Sequence, residues 1–529
     1  MNACQDAGAR KITYATSTQE DLADLHTAYD RAIGVVKKTL GRHHPMFIDG
    51  QSVWGKEETI DRSPIDARIQ IGFFQKGTAE HARDAVIAAR RAFPEWASRP
   101  WPQRVTVMRR VAHALRAHRY ELAVAIAYDA GKNRLECVAD VEESADFVDY
   151  YCTQMEQNNG FIREMQSPSK GIASHSKLRP YGVWSVIAPF NFPLALATGP
   201  GAAALIAGNT VVFKPASDTP FVGLKLYEMM VEGGVPRGAF NLVTGSGTTV
   251  GQELVENGGI DGIVFTGSKD VGMHLARSSA LRSIPRPVIT EMGGKNPTVV
   301  MPSANLDKAA EGVLRSAFGA QGQKCSACSR VYVAREVLDH FLELLVEKTA
   351  SVKIGNPLDR DVWLGPLINE AAVKTYERAI RQAIDDGGRI LTGGHRLMGD
   401  PFGHGFYVEP TIIDCLPSTH PLFSEELFVP IVVVGEVTSL TEAIELANRT
   451  EYGLTAGIFS EDLEEIDCFF DHVEAGVVYA NRSAGITTGA WPGVNPFGGW
   501  KASGSTGRGS GGPYYLQQFM REQSQVRVR

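Results

Sequence analysis

Short apolar runs alternate with helical segments from Val183 onward, and this alternation limits the possible folds more than any other feature of the chain. The first runs read VWSVIAP, NTVVFKP, AFNLVTG and GIVFTG; a second group, beginning near Pro297, reads PTVVM, SRVYVA, RIL, FYVEPTII, IVVVGEV and AGIFS. A short apolar run followed by a turn and a helix is typical of a buried parallel strand. The sequence therefore predicts the α/β class, with two doubly wound, Rossmann-type parallel sheets in series.

The other segments predict helices and a separate strand pair. A chain of 529 residues is too long for one hydrophobic core, so more than one domain is expected. Residues 79–151 carry apolar side chains at helical spacing, and Gly131 is a candidate C-cap within them. Residues 157–178 are polar and irregular, and the tail after Gly499 is rich in Gly, Ser and Thr. These two pieces are candidates for paired strands that bridge subunits.

Charge and composition exclude several classes of partner. The formal net charge of −7 is spread along the chain, which argues against nucleic acid or an anionic membrane as the main partner. The start MNACQDAGARKITYA lacks the apolar core of a signal peptide, and prolines, glycines and asparagines interrupt the apolar stretch from Val183 to Phe213. No membrane span is therefore expected. Seven scattered cysteines indicate a reducing compartment, and we expect a cytoplasmic protein.

Cys325 is the first candidate for chemistry. It lies in FGAQGQKCSACSR, a loop of small residues ahead of a predicted strand. Such a loop lets a thiol face a cleft, and a nearby helix N-terminus can lower the thiol pKa, which favours a nucleophile. Two alternatives stay open, namely a buried core cysteine and a CxxC redox or metal pair with Cys328. No Cys/His pair follows at zinc spacing, so no metal site is predicted.

Glu291 and Asn191 are two further candidates. Glu291, in ITEMGGKNP, follows an apolar strand and precedes two glycines, where backbone can approach a ligand closely. A carboxylate in an apolar setting tends toward a raised pKa and can act as a general base; a solvated loop glutamate is the alternative. Asn191, in IAPFNFP, is an amide in an apolar run, so it either stabilises an oxyanion or forms a turn.

Two strand–loop–helix segments could bind a dinucleotide. AFNLVTGSGTTVGQEL contains Gly247 and Gly251 after a predicted strand but misses the strict glycine spacing by one residue. GIVFTGSKDVG places Gly267 and Ser268 where a strand meets a helix, whose free amides suit a pyrophosphate. Lys214, at the end of NTVVFKP, can reach a ribose hydroxyl; an ordinary surface lysine is the alternative.

Taken together, these segments resemble the aldehyde dehydrogenase superfamily, from about Met46 to Ser524. The motifs IAPFNFP, GNTVVFKP, FTGS, EMGGKNP, GQKC, EELF and NPFGGWKASG agree with it in order and spacing. The resemblance implies that Cys325 attacks an aldehyde carbon and that Asn191 and the Cys325 backbone N–H hold the oxyanion. It also implies that Glu291 activates the water that releases a carboxylic acid, rather than leaving the acyl group for coenzyme A.

The resemblance further implies a cofactor site and a domain plan. NAD would contact Lys214 at the adenosine ribose, Gly267 and Ser268 at the pyrophosphate, and Glu426 and Phe428 at the nicotinamide ribose. The implied cofactor residues are Ile187, Pro189, Lys214, Ser217, Gly247, Gly251, Phe265, Gly267, Ser268, Met292, Gly293, Glu426 and Phe428. Residues 1–156 and 179–295 would form the NAD(P)-binding domain and residues 296–480 the catalytic domain. Residues 157–178 and 481–529 would form an oligomerisation flap and an anchor segment of a homo-oligomer, a dimer or a larger even assembly.

Within the superfamily, the chain most resembles the branch that acts on L-glutamate γ-semialdehyde. The segments FGAQGQKCSACSR, GKNRLECVADVEESADFVDYY and NPFGGWKASGSTGRGSGGPYYL carry this likeness. It implies that Ser326 and the backbone of Gly489 and Ala490 anchor the substrate α-carboxylate. It also implies that Phe192 and Phe497 clamp the aliphatic part of the substrate.

Three departures leave alternatives open. NRSAGITTGAWPG is longer than the anchor loop of that branch and adds Trp491 and Pro492, which would alter the pocket mouth. Val429 replaces a usual glycine, and Ser217 stands where many NAD-preferring relatives carry glutamate, which makes NADP the alternative cofactor. Oxidation of another semialdehyde or small aldehyde, a non-catalytic binding protein and a CxxC thiol oxidoreductase remain as alternative functions.

Overall fold

The computed structural model describes residues 19–167, 169–484 and 488–528. Its helices, in chain order, are α1 (Gln19–Lys37), α2 (Ala79–Ser98), α3 (Trp101–Ala117), α4 (Arg119–Ala130), α5 (Arg134–Gln157), α6 (Ala195–Ala207), α7 (Pro220–Glu232), α8 (Gln252–Glu256), α9 (Lys269–Ala280), α10 (Leu306–Phe318), α11 (Leu338–Ala350), α12 (Glu370–Asp385), α13 (Leu440–Asn448) and α14 (Leu463–His472). Within these described residues, no helix has the length and apolarity needed to cross a membrane.

The strands form two large sheets and three small ones in the described part of the chain. In chain order they are β1 (Arg42–His44), β2 (Met46–Ile48), β3 (Gln51–Val53), β4 (Glu58–Arg62), β5 (Gln70–Gln75), β6 (Ile162–Met165), β7 (Ile172–Pro180), β8 (Val183–Ile187), β9 (Thr210–Lys214), β10 (Phe240–Leu242), β11 (Gly262–Thr266), β12 (Val288–Glu291), β13 (Asn296–Val300), β14 (Cys328–Ala334), β15 (Arg389–Thr392), β16 (Thr411–Asp414), β17 (Ile431–Val437), β18 (Tyr452–Gly453), β19 (Thr455–Phe459), β20 (Val477–Ala480), β21 (Trp500–Lys501) and β22 (Met520–Val528).

The first large sheet has the strand order β12-β11-β8-β9-β10-β2-β3, and β12 through β10 run parallel. From β8 the chain adds β9 and β10 on one side, then returns to add β11 and β12 on the other. The boundary between β8 and β11 is therefore a topological switch point, where open α/β sheets bind ligands beyond the carboxyl ends of their strands. The four apolar runs that begin at Val183 are confirmed as β8, β9, β10 and β11.

The second large sheet has the order β15-β16-β17-β14-β13-β19-β20 and is parallel except at β15. β15 was expected to be parallel like its neighbours but is antiparallel to β16. Residues 393–410, all of them described, connect the two strands without a helix, and a parallel pair would require a crossover. The predicted α/β class with two Rossmann-type sheets is confirmed.

The predicted pairing of the polar segment with the tail is also present. β22, β7 and β6 form an antiparallel sheet in which Met520 pairs with Pro180 and Val528 with Ile172. We call this sheet the flap. Most of β22 is exposed, and the contact of the flap with another subunit stays a prediction.

Two buried carboxyl groups join β4, α4 and α7. Asp61 on β4 and Asp129 on α4 are buried neighbours, and among the described residues neither Asp61 Oδ2 nor Asp129 Oδ1 has a donor. We infer that the two carboxyl groups share a proton, because two adjacent carboxylates cannot both ionise. Asp129 also accepts the backbone N–H of Val222, at 2.8 Å, in the first turn of α7. Burial raises the pKa of Asp129 to about 7 and the pKa of Asp61 well above its ordinary value.

The shared proton predicts that stability falls as pH rises. A carboxyl group whose pKa is raised in the folded state stabilises the fold fully at low pH and loses that contribution as pH passes its folded pKa. We expect the melting temperature to drop between pH 6 and pH 9, and Asp61→Asn to reduce this drop because its amide donates to Asp129 at every pH. Asp66→Asn is the matched control, because Asp66 is a partly exposed aspartate that pairs with Arg68. Equal pH dependence in Asp61→Asn and the wild type would contradict the shared proton.

Candidate active site

The chain passes directly from the first large sheet to the second. β12 ends at Glu291 and β13 begins at Asn296, so only residues 292–295 separate the two sheets. The carboxyl end of one sheet is therefore held against the amino end of the other. Side chains that follow β12 and side chains that precede β14 must share one cleft.

A strained turn places Cys325 in this cleft. Between α10 and β14 the backbone takes positive φ at Ala320 (50°), Gln321 (59°) and Gly322 (68°), a conformation that costs free energy for the two residues with a Cβ. We call residues 319–327 the nucleophile loop. The Oε1 atom of Glu136 accepts the Ala320 N–H at 2.7 Å, and Gln321 Nε2 donates to the Gly131 carbonyl at 3.2 Å. These contacts hold the turn against the start of α5.

Asn296 fixes the backbone of the nucleophile itself. Its Nδ2 donates to the carbonyl oxygens of Cys325, at 2.7 Å, and Ala327, at 2.9 Å, and its Oδ1 accepts the Thr455 N–H at 3.0 Å. Asn296 is buried, so these bonds replace the solvation that it loses. Sequence reasoning missed this residue, although EMGGKNP contains it.

Asn191 lies on the other side of the nucleophile loop. The residue is buried, and its Nδ2 donates one hydrogen to the Gln323 carbonyl at 2.9 Å. Gln323 is itself held by the Ile368 N–H, which donates to its Oε1 at 3.0 Å. An amide nitrogen has two hydrogens, so Asn191 has a second donor besides the one that binds the nucleophile loop at Gln323. This arrangement supports the predicted oxyanion donor.

The electrostatic setting raises the pKa of every acid near Cys325. Burial first, and then the carboxylates of Glu426 and Glu291, together raise the pKa of the Cys325 thiol to about 12. Burial raises the pKa of Glu291 to about 8 and that of Glu426 to about 7. The expectation of a lowered thiol pKa is wrong for the free protein, because burial and then the neighbouring carboxylates disfavour the thiolate. A raised pKa at Glu291 is what a general base near neutral pH requires.

One cavity of about 400 Å³ joins the catalytic candidates to the predicted substrate residues. Its lining includes Cys325, Glu291, Ser326, Ala490, Phe192 and Phe497, together with Asp140, Glu143 and Phe147 from α5. Sequence reasoning missed the acidic residues of α5. Burial and the charge of Asp140 raise the pKa of Glu143 to about 8.

The anchor loop, residues 481–495, is described except for residues 485–487. Gly489 takes a positive φ of 68° and its carbonyl accepts Asn495 Nδ2 at 3.0 Å, while the Ala490 N–H points to Thr488 Oγ1 at 3.3 Å. Trp491 donates from Nε1 to Asp146 Oδ2 at 2.7 Å, on α5. The bulky addition to this loop therefore ties it to the helix that carries Glu143.

The predicted cofactor residues follow the carboxyl ends of the first sheet. Ile187 ends β8, Lys214 ends β9, and Phe265 lies next to the last residue of β11, on both sides of the switch point. Ser268 is the N-cap residue of α9 but forms no side-chain cap, so the first amides of this helix remain available to a pyrophosphate. These features fit a dinucleotide.

Lys214 and the glycine loop fit the same ligand. Lys214 is 4 % exposed, and burial lowers the pKa of its amine to about 8. Among the described residues its Nζ donates only to the neighbouring Pro215 carbonyl, at 3.1 Å. A Cβ at Gly247 would meet open space, and one at Gly251 would touch the Lys214 side chain at 3.9 Å. Ser217 is exposed, with its Oγ 3.4 Å from the Gly245 carbonyl.

The nicotinamide end of the predicted site lies beside Cys325. Glu426 Oε1 accepts the Gly294 N–H at 3.0 Å, and a Cβ at Gly293 would meet the Glu426 carboxylate at 1.9 Å. Phe428 has a φ of 60° and its ring packs edge-on against Phe190. The remaining predicted cofactor residues are Met292, which is buried, Pro189, which is half-buried, and Gly267, whose N–H donates to the Glu291 carbonyl at 3.1 Å.

Cys328 plays a different part from Cys325. It is buried at the start of β14, and its thiol donates to the Arg330 carbonyl at 3.4 Å. Among residues 19–167, 169–484 and 488–528, no group of three or more His, Cys, Asp and Glu side chains is arranged to hold a metal ion.

Comparisons with known proteins identify a family and several relatives that this chain is similar to. The aldehyde dehydrogenase family model matches residues 53–525. A 1-pyrroline-5-carboxylate dehydrogenase of Halalkalibacterium halodurans is 37 % identical over 500 residues, which cover 93 % of this chain and 94 % of that protein. A solved 1-pyrroline-5-carboxylate dehydrogenase from Thermus with bound NAD is 32 % identical, with a TM-score of 0.92 and full coverage of both chains. A lactaldehyde dehydrogenase structure is also 32 % identical, with a TM-score of 0.86, covering 93 % of this chain and all of that one.

The negative surroundings of Cys325 predict how fast it is alkylated. We expect Glu426→Gln and Glu291→Gln each to lower the thiol pKa and to speed carbamidomethylation of Cys325 at pH 9 by up to about tenfold, the effect of one pKa unit. Peptide mass spectrometry reports Cys325 separately from the exposed Cys415 and Cys468. Glu436→Gln, a remote exposed glutamate, is the control. Unchanged rates in both active-site variants would contradict the electrostatic account.

Proposed function

The chain belongs to the aldehyde dehydrogenase family, and we propose that it oxidises L-glutamate γ-semialdehyde, formed from 1-pyrroline-5-carboxylate, to L-glutamate with NAD. The observation that carries this proposal is the single cavity that joins Cys325 and Glu291 to Ser326, Ala490 and Glu143. Relatives that bear the name 1-pyrroline-5-carboxylate dehydrogenase match over nearly the whole chain and support the same substrate.

Cys325 and Asn191 act in the first half of the reaction. The Cys325 thiolate adds to the aldehyde carbon and forms a thiohemiacetal, whose oxyanion accepts hydrogen bonds from Asn191 Nδ2 and the Cys325 backbone N–H. Lys214, Ser268 and Glu426 would hold NAD, which would supply the hydride acceptor for this carbon, so that the thiohemiacetal becomes a Cys325 thioester. Asn296 keeps the Cys325 backbone fixed throughout, through the 2.7 Å bond to its carbonyl.

Glu291 acts in the second half. Its carboxylate takes a proton from a water molecule, whose oxygen adds to the thioester carbon and expels the Cys325 thiolate, leaving the carboxylic acid. Within the described residues, no group donates a hydrogen bond to this carboxylate, and burial alone raises its pKa to about 8. A weakly solvated carboxylate with this pKa is a stronger base than an exposed glutamate.

The cavity lining fits an amino-acid semialdehyde. The Ser326 hydroxyl and the Gly489 and Ala490 amides would receive the α-carboxylate; the long 3.3 Å bond from the Ala490 N–H to Thr488 is readily exchanged for a charged acceptor. Phe192 and Phe497 would enclose the methylene groups. Glu143 would accept the α-ammonium, because it lines the cavity and, among the described residues, takes part in no ion pair.

The charges near the adenosine end favour NAD over NADP. Ser217 lacks the carboxylate that many NAD-preferring relatives carry, but Asp218 follows it, is exposed, and acts electrostatically on Lys214. A second negative group, the 2′-phosphate of NADP, would be repelled there. We therefore keep NAD as the proposed cofactor.

The flap and the cysteines support two further parts of the proposal. The exposed apolar residues Met165, Val526 and Val528 on the flap suit contact with a second copy, so we propose a homo-oligomer of even size. The scattered cysteines of the described chain are free thiols, which suits a cytoplasmic enzyme.

Glu143 predicts a substrate preference that can be measured directly. We expect kcat/KM, from NADH absorbance at 340 nm, to be higher for 1-pyrroline-5-carboxylate than for glutarate semialdehyde, succinate semialdehyde or propanal. Glu143→Gln should lower kcat/KM for the pyrroline substrate about 10- to 100-fold, the value of one charge-assisted hydrogen bond. Glutarate semialdehyde lacks the ammonium group, so Glu143→Gln should leave kcat/KM for this substrate unchanged. A preference for lactaldehyde or propanal would instead assign the chain to another aldehyde.

The roles of Cys325 and Glu291 predict different losses. Cys325→Ala should lower the dehydrogenase activity at least about 10³-fold, whereas Cys328→Ala should keep most of it. In the wild type, thioester hydrolysis should rise with pH through about 8, because the ionised Glu291 is the active form. Glu291→Gln should flatten this profile and let the acyl-enzyme accumulate, which intact-protein mass spectrometry detects. Rapid turnover without accumulation would show that another group is the base.

A further inference from the structure

A buried lysine lies behind the cavity wall. Lys132 is 1 % exposed, and its Nζ is 3.0 Å from Oδ2 of Asp140, which is fully buried. The same Nζ lies 3.6 Å from the ring centroid of Phe192, a residue that lines the cavity. Burying an ion pair costs desolvation energy that the attraction between the charges often fails to recover, so such a pair is weak evidence for stability. Its contacts point to another role.

The Lys132 ammonium contacts both parts of the loop that carries Asn191. It contacts the ring of Phe192, which directly follows Asn191. Through Asp140 it reaches the start of α6, because Asp140 Oδ1 accepts the Ala195 N–H at 2.8 Å. A cation on the face of an aromatic ring favours one ring orientation, and the effect is larger when both groups are desolvated.

The backbone around Lys132 also holds the nucleophile loop. Gly131 ends α4 with a φ of 70°, and its carbonyl accepts Gln321 Nε2. Asn133 then begins α5 by accepting the Glu136 N–H at 3.0 Å, and Glu136 receives the Ala320 N–H. The α4–α5 junction, residues 131–136, therefore contacts the loops of both Cys325 and Asn191.

We propose that Lys132 is a positioning residue, which orients Phe192 and Asn191 relative to Cys325 through its contacts with the Phe192 ring and Asp140. The inference rests on the proposed function, since it concerns the same cavity. The other charged groups near Lys132 are Glu136, Glu143 and Lys324, and none of them replaces its contact with the ring.

Two variants separate positioning from simple stabilisation. Lys132→Met removes the ammonium but leaves Asp140 as an unpaired buried charge, which destabilises the fold. Lys132→Met/Asp140→Asn leaves no buried charge, and the asparagine oxygen can still accept the Ala195 N–H. We expect the melting temperature of the double variant to return most of the way from that of Lys132→Met to that of the wild type. Its enzymatic activity should stay as low as that of Lys132→Met.

The expected kinetic loss follows from misplacement of the oxyanion donor and the clamp. In both variants kcat should fall about tenfold or more, and KM for 1-pyrroline-5-carboxylate should rise, because small displacements in a reacting site are costly. Acylation of Cys325 by p-nitrophenyl acetate, which needs no cofactor, should slow as well, since its oxyanion uses Asn191. Lys132→Arg, which keeps the charge, should remain closer to the wild type than Lys132→Met.

Lys225→Met is the matched control. Lys225 also lies over a phenylalanine ring, 5.2 Å from that of Phe221, and pairs with Glu228 at 2.8 Å, but on α7 and outside the cavity lining. It should keep wild-type kinetics. Wild-type kcat and KM in the double variant would overturn the inference and leave Lys132 a structural residue. If Lys132→Met fails to fold, the double variant carries the same test. A wild type that oxidises none of the aldehydes would instead overturn the proposed function.

Discussion

The close approach of residues 292–295 to the nucleophile loop is the constraint on which the site depends. A Cβ at Gly294 would lie 2.5 Å from the Cys325 carbonyl oxygen, and one at Gly293 would enter the Glu426 carboxylate. Only glycine fits where two backbones pass so closely. Because the crossing is short, Glu291 and Asn296 lie at its two ends, one facing the cavity and the other holding the Cys325 backbone. The two sheets thus deliver a base and a nucleophile to one cleft.

This arrangement brings together groups that oppose one another electrostatically. Burial, Glu426 and Glu291 all raise the pKa of Cys325, so the free protein holds its thiol protonated and weakly reactive. The same burial that suppresses the thiol raises the basicity of Glu291. Carboxylates that repel a thiolate are compatible with catalysis because the oxyanion and the thioester no longer place a negative charge on sulfur.

The parts of this structure that sequence reasoning could reach are those set by local pattern. Strands such as β8, β9 and β14 are short apolar runs bounded by turns, and Cys325, Glu291 and Asn191 belong to motifs with a recognisable order. β15 was assigned the wrong direction because strand polarity depends on the connection, not on the run itself. Asn296, Glu143 and Lys132 carry no local signal. α5 buries polar and apolar residues on most of its surface, so its periodicity does not reveal which carboxylates face a cavity.

The α4–α5 junction explains why these unrecognised residues matter together. A left-handed glycine, a buried lysine and an asparagine cap follow one another at Gly131, Lys132 and Asn133, and each bonds to a different part of the structure. The loops of Cys325 and Asn191 are far apart in sequence, and neither has a regular element of its own to fix it. Because both loops are attached to the α4–α5 junction, they are restrained relative to each other although they are far apart in the sequence. Catalytic geometry in this fold therefore depends on helices that contribute no group to the chemical steps.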